Sequence, residues 1–139
     1  LDLAETLELP VVIHSRDATS QCIEILSGRG GMKGAFHCFS SNPEKAKRVL
    51  EMGFFISCCG QITFPNAGKL REKFARIPPE KFMLETDCPF LAPQKHRGER
   101  NEPAYMPFIA EKYAEVFNIP VEELEKITTR NAERLFFGI

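Results

Sequence analysis

The chain has 139 residues, enough for one domain with a buried core and too short for two comfortable ones. Hydrophobic residues make up 43% and charged residues 27%, a globular balance that argues against disorder. The net charge of -1 excludes a global basic field, so any nucleic-acid role must rest on a local patch. No apolar run approaches the roughly 18 residues of a membrane span, and no signal-peptide pattern opens the chain. The sequence has 5 cysteines, with Cys58 and Cys59 adjacent and no CxxC pair. That pattern disfavours a disulfide framework or a structural zinc knot and suits a reducing, cytoplasmic setting.

The text opens on Leu1 inside a helical pattern, as expected of a chain with sequence upstream. Leu3, Ala4, Leu7 and Leu9 mark one face of a helix from Asp2 that Pro10 ends. Val11-Val12-Ile13 is a continuous β-branched run, expected of a strand buried on both faces. A second helix spans about Ala18 to Leu26 and stops at Gly28, Gly30 and Gly31, and Gly34 to Cys38 reads as the next strand. Asn42-Pro43-Glu44 starts a third helix: Asn42 caps, Pro43 suits the first turn, and Glu44 complements the dipole. That helix buries Ala46, Val49 and Leu50, and Gly53 terminates it. Phe54 to Cys58 is a third strand, Gly68 to about Ile77 a helix broken by Pro78-Pro79, and Phe82 to Glu85 a fourth strand. The polar stretch from Thr86 to Pro103 is too long for a plain connector, which makes it a candidate functional loop. Helices over about Ala104–Phe117 and Val121–Phe136 close the chain, with Thr128 placed to cap a break in the second. Tyr113, Phe117, Leu124 and Leu135 read as packing residues.

Strands and helices alternating in this way specify βαβ units and a parallel sheet. Two architectures satisfy the pattern, an open doubly wound sheet or a TIM barrel. In both, functional side chains collect at the C-terminal ends of the strands. The first strand runs into His14-Ser15-Arg16-Asp17, the second carries His37, and the fourth ends in Glu85-Thr86-Asp87. Two imidazoles and an acidic pair at one structural address are what a divalent metal needs. The bland alternatives are a hydrogen-bonded core histidine, a Glu-Thr-Asp turn element and a surface ion pair for Arg16.

Three motifs carry a family resemblance. Val11-Val12-Ile13-His14-Ser15-Arg16, Phe36-His37-Cys38-Phe39-Ser40, and the run from Met83-Leu84-Glu85-Thr86-Asp87-Cys88-Pro89 to Pro93 resemble successive signatures of the TatD deoxyribonucleases. The stretch Arg97 to Tyr105 is similar to that family's loop after the last strand, and Thr128 to Phe136 to its C-terminal helix. The resemblance implies a parallel (β/α)8 TIM-type barrel of the metal-dependent hydrolase superfamily, of which this chain supplies the last four βα units. It implies hydrolysis of DNA phosphodiester bonds with divalent ions (Mg, Mn or Zn), two of them in the full-length enzyme, which is expected to be monomeric. His14, His37 and Asp87 would be metal ligands. Asp87 would also orient the attacking water, with Glu85 its acidic catalytic partner. Arg16, Arg97 and Arg100 are candidate phosphate contacts, chosen on charge and position. The resemblance also implies a His-x-His on a first strand and a bridging Glu that this sequence lacks, and His96 lies in a basic loop where it is a poor substitute.

Imidazole ligands lean the site towards a transition metal, whereas magnesium prefers oxygen. The basic loop around Lys95, His96, Arg97 and Arg100 reads either as a phosphate clamp or as a solvated connector. Phe39, Phe64 and Phe90 follow strands and fit either rim packing or base stacking. Two other functions compete with a nuclease. An amidohydrolase-like C–N hydrolase would use similar ligands. An inactive half-barrel acting as a binding or assembly module would account for the missing ones. A half-barrel alone exposes two sheet edges and an apolar face, so self-association is expected of it.

Overall fold

A computed structural model describes residues 1–139. Four strands, β1 (Val11–His14), β2 (Gly34–His37), β3 (Phe55–Cys58) and β4 (Phe82–Leu84), form one sheet in the order β1-β2-β3-β4. Every neighbouring pair is parallel, with His14 beside His37 and Cys58 beside Leu84. The order follows the chain without reversal, so the sheet has none of the switch points of a doubly wound fold and advances as barrel strands do. The helices are α1 (Asp2–Thr6), α2 (Thr19–Ser27), α3 (Pro43–Glu51), α4 (Gly68–Phe74), α5 (Met106–Phe117) and α6 (Val121–Phe136).

Local chemistry sets most boundaries. Asn42 Oδ1 accepts from the Lys45 backbone N–H at 2.9 Å, with Pro43 in the first turn, so α3 starts where its cap places it. Gly53 follows its end at φ 86°, a conformation open to glycine. Gly34 is glycine because a Cβ there would lie 2.2 Å from the Val11 carbonyl oxygen and 2.8 Å from the Phe54 ring.

One sheet face carries the main core. Ile23, Phe36, Val49, Ile56, Phe74, Phe82, Ile109, Tyr113 and Leu124 are fully buried there, and Phe82 and Tyr113 each contact the rings of Phe74 and Phe117 as well as each other. Residues that alternate with these point the other way. Only Ala35, Phe55, Met83 and Leu135 form a small second cluster on that face, at the β4 side. Asn131 fastens α6 to that side, donating from Nδ2 to the carbonyls of Pro79 at 2.9 Å and Phe82 at 2.7 Å.

Several expectations need correction. The strands are not all buried on both faces: Val12 is 58% exposed, and His14 is exposed too. Helix α1 stops at Thr6, short of Leu9, and Leu3, Leu7 and Leu9, read as one face of it, are exposed. Helix α4 ends at Phe74, and residues Pro103–Tyr105 form a 3-10 turn ahead of α5. Leu50 is only partly buried. Thr128 caps no break: α6 is continuous, and the Thr128 hydroxyl donates back to the Leu124 carbonyl at 2.9 Å inside the helix.

Candidate metal centre

The C-terminal ends of the parallel strands make a common rim, and the chain changes direction there through left-handed turns. Asp17 (φ 56°), Cys38 (φ 47°) and Asp87 (φ 55°), each shortly after a strand, have positive φ. Non-glycine residues rarely adopt this region, and where they do the surroundings must hold them. At Cys38 the hold is visible: its backbone N–H donates to Glu85 Oε1 at 2.6 Å.

Glu85 is the hub of the rim. It follows β4, and Oε1 also accepts from the Ser57 hydroxyl at 2.8 Å, on β3. Its other oxygen, Oε2, is in close contact with His37 Nδ1, on β2. One carboxylate thus engages donors from two other strands. The opposite ring nitrogen, His37 Nε2, lies 3.3 Å from Asp87 Oδ1, and the His14 ring stands with its centroid 5.6 Å from that of His37. The structure therefore brings His14, His37, Glu85 and Asp87 together.

Electrostatics follow the geometry. Partial burial pulls the His37 pKa down, but the charge and hydrogen bond of Glu85 and the charge of Asp87 outweigh it, and the net shift is upward from 6.5. Two imidazoles beside a carboxylate are a donor set that fits a divalent transition ion. Glu85 on Nδ1 fixes the tautomer that leaves Nε2 as the free lone pair, the usual arrangement behind a histidine ligand.

The arginines do not join this cluster. Arg16 is exposed beyond β1, and Arg100 is exposed beside a shallow depression with Cys88 and Pro89. Arg97 lies over the Phe64 ring, its guanidinium carbon 3.9 Å from the centroid. None of the three forms a salt bridge. His96 is occupied elsewhere, stacked 3.8 Å from Tyr105 and paired through Nδ1 with Glu99 at 2.8 Å. Phe39 is core, edge-on to Phe36, whereas Phe90 is 68% exposed.

Sequence reasoning missed two residues that build the site. Ser57 orients Glu85, but a small polar residue inside an apolar strand gives no distinctive signal. Asn101, 1% exposed, donates from Nδ2 to the carbonyls of Thr86 at 2.7 Å and Phe90 at 2.5 Å. Its own N–H reaches the Pro89 carbonyl at 3.1 Å, so the long loop is tied to the segment carrying Asp87. An Asn amid charged loop residues looks solvent-facing, and only the fold reveals it as a clamp.

Parallel strands in chain order, with helices packed mainly on one face and an imidazole–carboxylate cluster at the strand ends, define an α/β fold of the parallel, TIM-barrel hydrolase kind. The chain belongs to the TatD family: the family model described as TatD related DNase matches residues 1–137. It is 44% identical over 136 residues to the uncharacterized metal-dependent hydrolase YabD of Bacillus subtilis, covering 96% of this chain and 53% of that protein. It is 39% identical over 138 residues to the uncharacterized metal-dependent hydrolase YcfH of Escherichia coli K12, covering 98% of this chain and 52% of that one. Among solved structures, the TatD homologue YJJV of Escherichia coli superimposes with a TM-score of 0.90 at 28% identity, over 97% of this chain and 52% of that chain. A TatD family hydrolase of Entamoeba histolytica superimposes at 0.87 and 24% identity, over 99% and 54% of the two chains. The chain spans about half the length of these relatives.

Proposed function

We propose that this chain is the second half of a (β/α)8 barrel, its last four βα units, in a divalent-metal-dependent hydrolase that cleaves DNA phosphodiester bonds. The observation that carries the reading is the meeting of His37 Nε2 and Asp87 Oδ1 at 3.3 Å beside the His14 ring, at the ends of β2, β4 and β1. Family membership and relatives named metal-dependent hydrolases support the reaction class. The strand order without reversal and the partly bare second face support a barrel completed by further strands.

In this reading His14, His37 and Asp87 hold the ion or ions (magnesium, manganese or zinc). When bound, a divalent ion offsets phosphate charge and lowers the pKa of water. Glu85 acts through His37: with both oxygens engaged, it aims the imidazole. Asp87 orients the attacking water through a carboxylate oxygen. Arg97, braced on Phe64 and free of carboxylate partners, is the best placed of the arginines to meet a phosphate from the loop, with Arg100 and Arg16 further out.

The test is hydrolysis of DNA by the full-length protein with added metal. Asp87→Asn is expected to lower the rate about 100-fold or more while leaving the fold unchanged. Near-normal turnover by that variant removes Asp87 from the site, and no metal-dependent cleavage of DNA by the parent protein removes the nuclease assignment.

A further inference from the structure

A second set of metal-binding atoms shares Asp87 with the histidine cluster, and the proposed hydrolysis uses only that one of its members. Cys38 Sγ, Cys59 Sγ and an Asp87 carboxylate oxygen lie within 4.8 Å of one another. They arrive from three places in the sequence: the residue after β2, the residue after β3 and the turn after β4. Around a tetrahedral zinc with zinc–sulfur bonds of about 2.3 Å, sulfur ligands stand about 3.8 Å apart. Side-chain rotations of about 1 Å therefore close the set on an ion.

The backbone that carries these atoms is fixed. Cys38 and Asp87 are two of the left-handed residues of the rim, and Glu85 holds the Cys38 N–H. Cys59 is fully buried and precedes Gly60, where a Cβ would lie 2.2 Å from the Leu91 carbonyl oxygen and 2.9 Å from the Pro93 nitrogen. The Asp87 loop thus packs directly on the backbone beside Cys59, and the absent Cβ sets how closely the thiol and the carboxylate approach. Cys38 and Asp87 are half-buried, which leaves a route from solvent. Gln61 lies beside the Cys38 thiol, its Oε1 3.7 Å and its Nε2 3.6 Å away.

We propose that Cys38, Cys59 and Asp87 form a separate seat for one soft divalent ion, zinc or cadmium, at the rim of the sheet. Two sulfur ligands select thiophilic ions over magnesium and manganese. The seat differs from the histidine cluster in its donors: two are thiol sulfurs and none is an imidazole. Binding replaces two thiol protons with two sulfur–metal bonds, and the protons leave to buffer. Because Asp87 is common to both groups, an ion in the dithiol seat competes with His37 for that carboxylate.

The experiment is a cadmium titration of the phosphine-reduced full chain, read by the ultraviolet sulfur-to-cadmium charge-transfer band and, in parallel, by alkylation of individual cysteines. One equivalent of cadmium is expected to raise the band and to protect Cys38 from alkylation while exposed Cys88 reacts at its former rate. Cys38→Ser and Cys59→Ala lose the band, and Asp87→Asn loosens the ion. His14→Ala and the Cys22→Ser/Cys88→Ser double variant retain it. Unchanged alkylation of Cys38 in the unmutated chain overturns the proposal, without depending on how any variant folds. So does a band that follows Cys22 or Cys88, or one that needs His14. None of these readouts uses DNA cleavage, so the seat and the nuclease reading stand or fall separately.

Discussion

At the scale of single residues, His37 shows how neighbours set a side chain's chemistry. Its pKa lies above the ordinary 6.5 because two carboxylates outweigh the cost of burial. A histidine whose folded pKa is raised stabilises the metal-free fold most below its unfolded value, and that contribution disappears as pH rises through the folded value. A metal at Nε2 must displace the same proton, so metal affinity should climb with pH across this interval. An imidazole-proton titration of the metal-free protein should place His37 above 6.5, and Glu85→Gln should bring it down. A His37 that titrates at or below the free value would contradict the pairing. His14, His37 and Asp87 were legible in the sequence because position at a strand end is a pattern. Ser57 and Asn101 were not, because a hydrogen bond to a residue 28 or 15 positions away leaves no local mark.

At the scale of elements, the loop after β4 decides whether Asp87 faces the rim. Asn101 closes it through two side-chain bonds to main-chain carbonyls, and the Arg97–Phe64 and His96–Tyr105 contacts brace its outer part. Asn101→Ala leaves buried carbonyls without their donor and should cost about 1–3 kcal/mol of stability in denaturant unfolding. It should also release the loop, seen as faster amide exchange from Thr86 to Asn101. Exchange unchanged across that stretch would show that the aromatic contacts suffice without the clamp. Helix positions read well from the sequence where capping chemistry is explicit, as at Asn42 and Gly53. They read poorly at α1, where the apolar spacing of Leu3, Leu7 and Leu9 extends past the backbone turn at Glu8, φ 54°.

At the scale of the whole molecule, β1 and β4 are the two edges of the sheet, and the second face is covered only towards β4. A groove of about 450 Å³ lies on that face, lined in part by Val12, Ala35, Met83, Ala132 and Phe136. Exposed Leu1, Leu3, Leu7 and Leu9 add apolar surface beside the chain start. Made alone, the 139-residue chain should self-associate through these surfaces, with a weight-average mass in sedimentation equilibrium that rises with concentration. A concentration-independent monomer would refute this. The sequence showed the parallel βα alternation but not which architecture it built. Apolar runs such as Val11-Val12-Ile13 look alike whether a second layer of helices or the interior of a barrel faces them.

Glu85 links these scales. Its oxygens fasten the ends of β2 and β3 to the residue after β4, and one of the fastened groups is the His37 ring itself. Sliding one strand past the next would therefore swing the imidazole as well as break main-chain pairing. The aim of the His37 ring is coupled to shear in the sheet below it, so a distant packing defect that lets the strands slip would disturb the rim before it unfolds the chain.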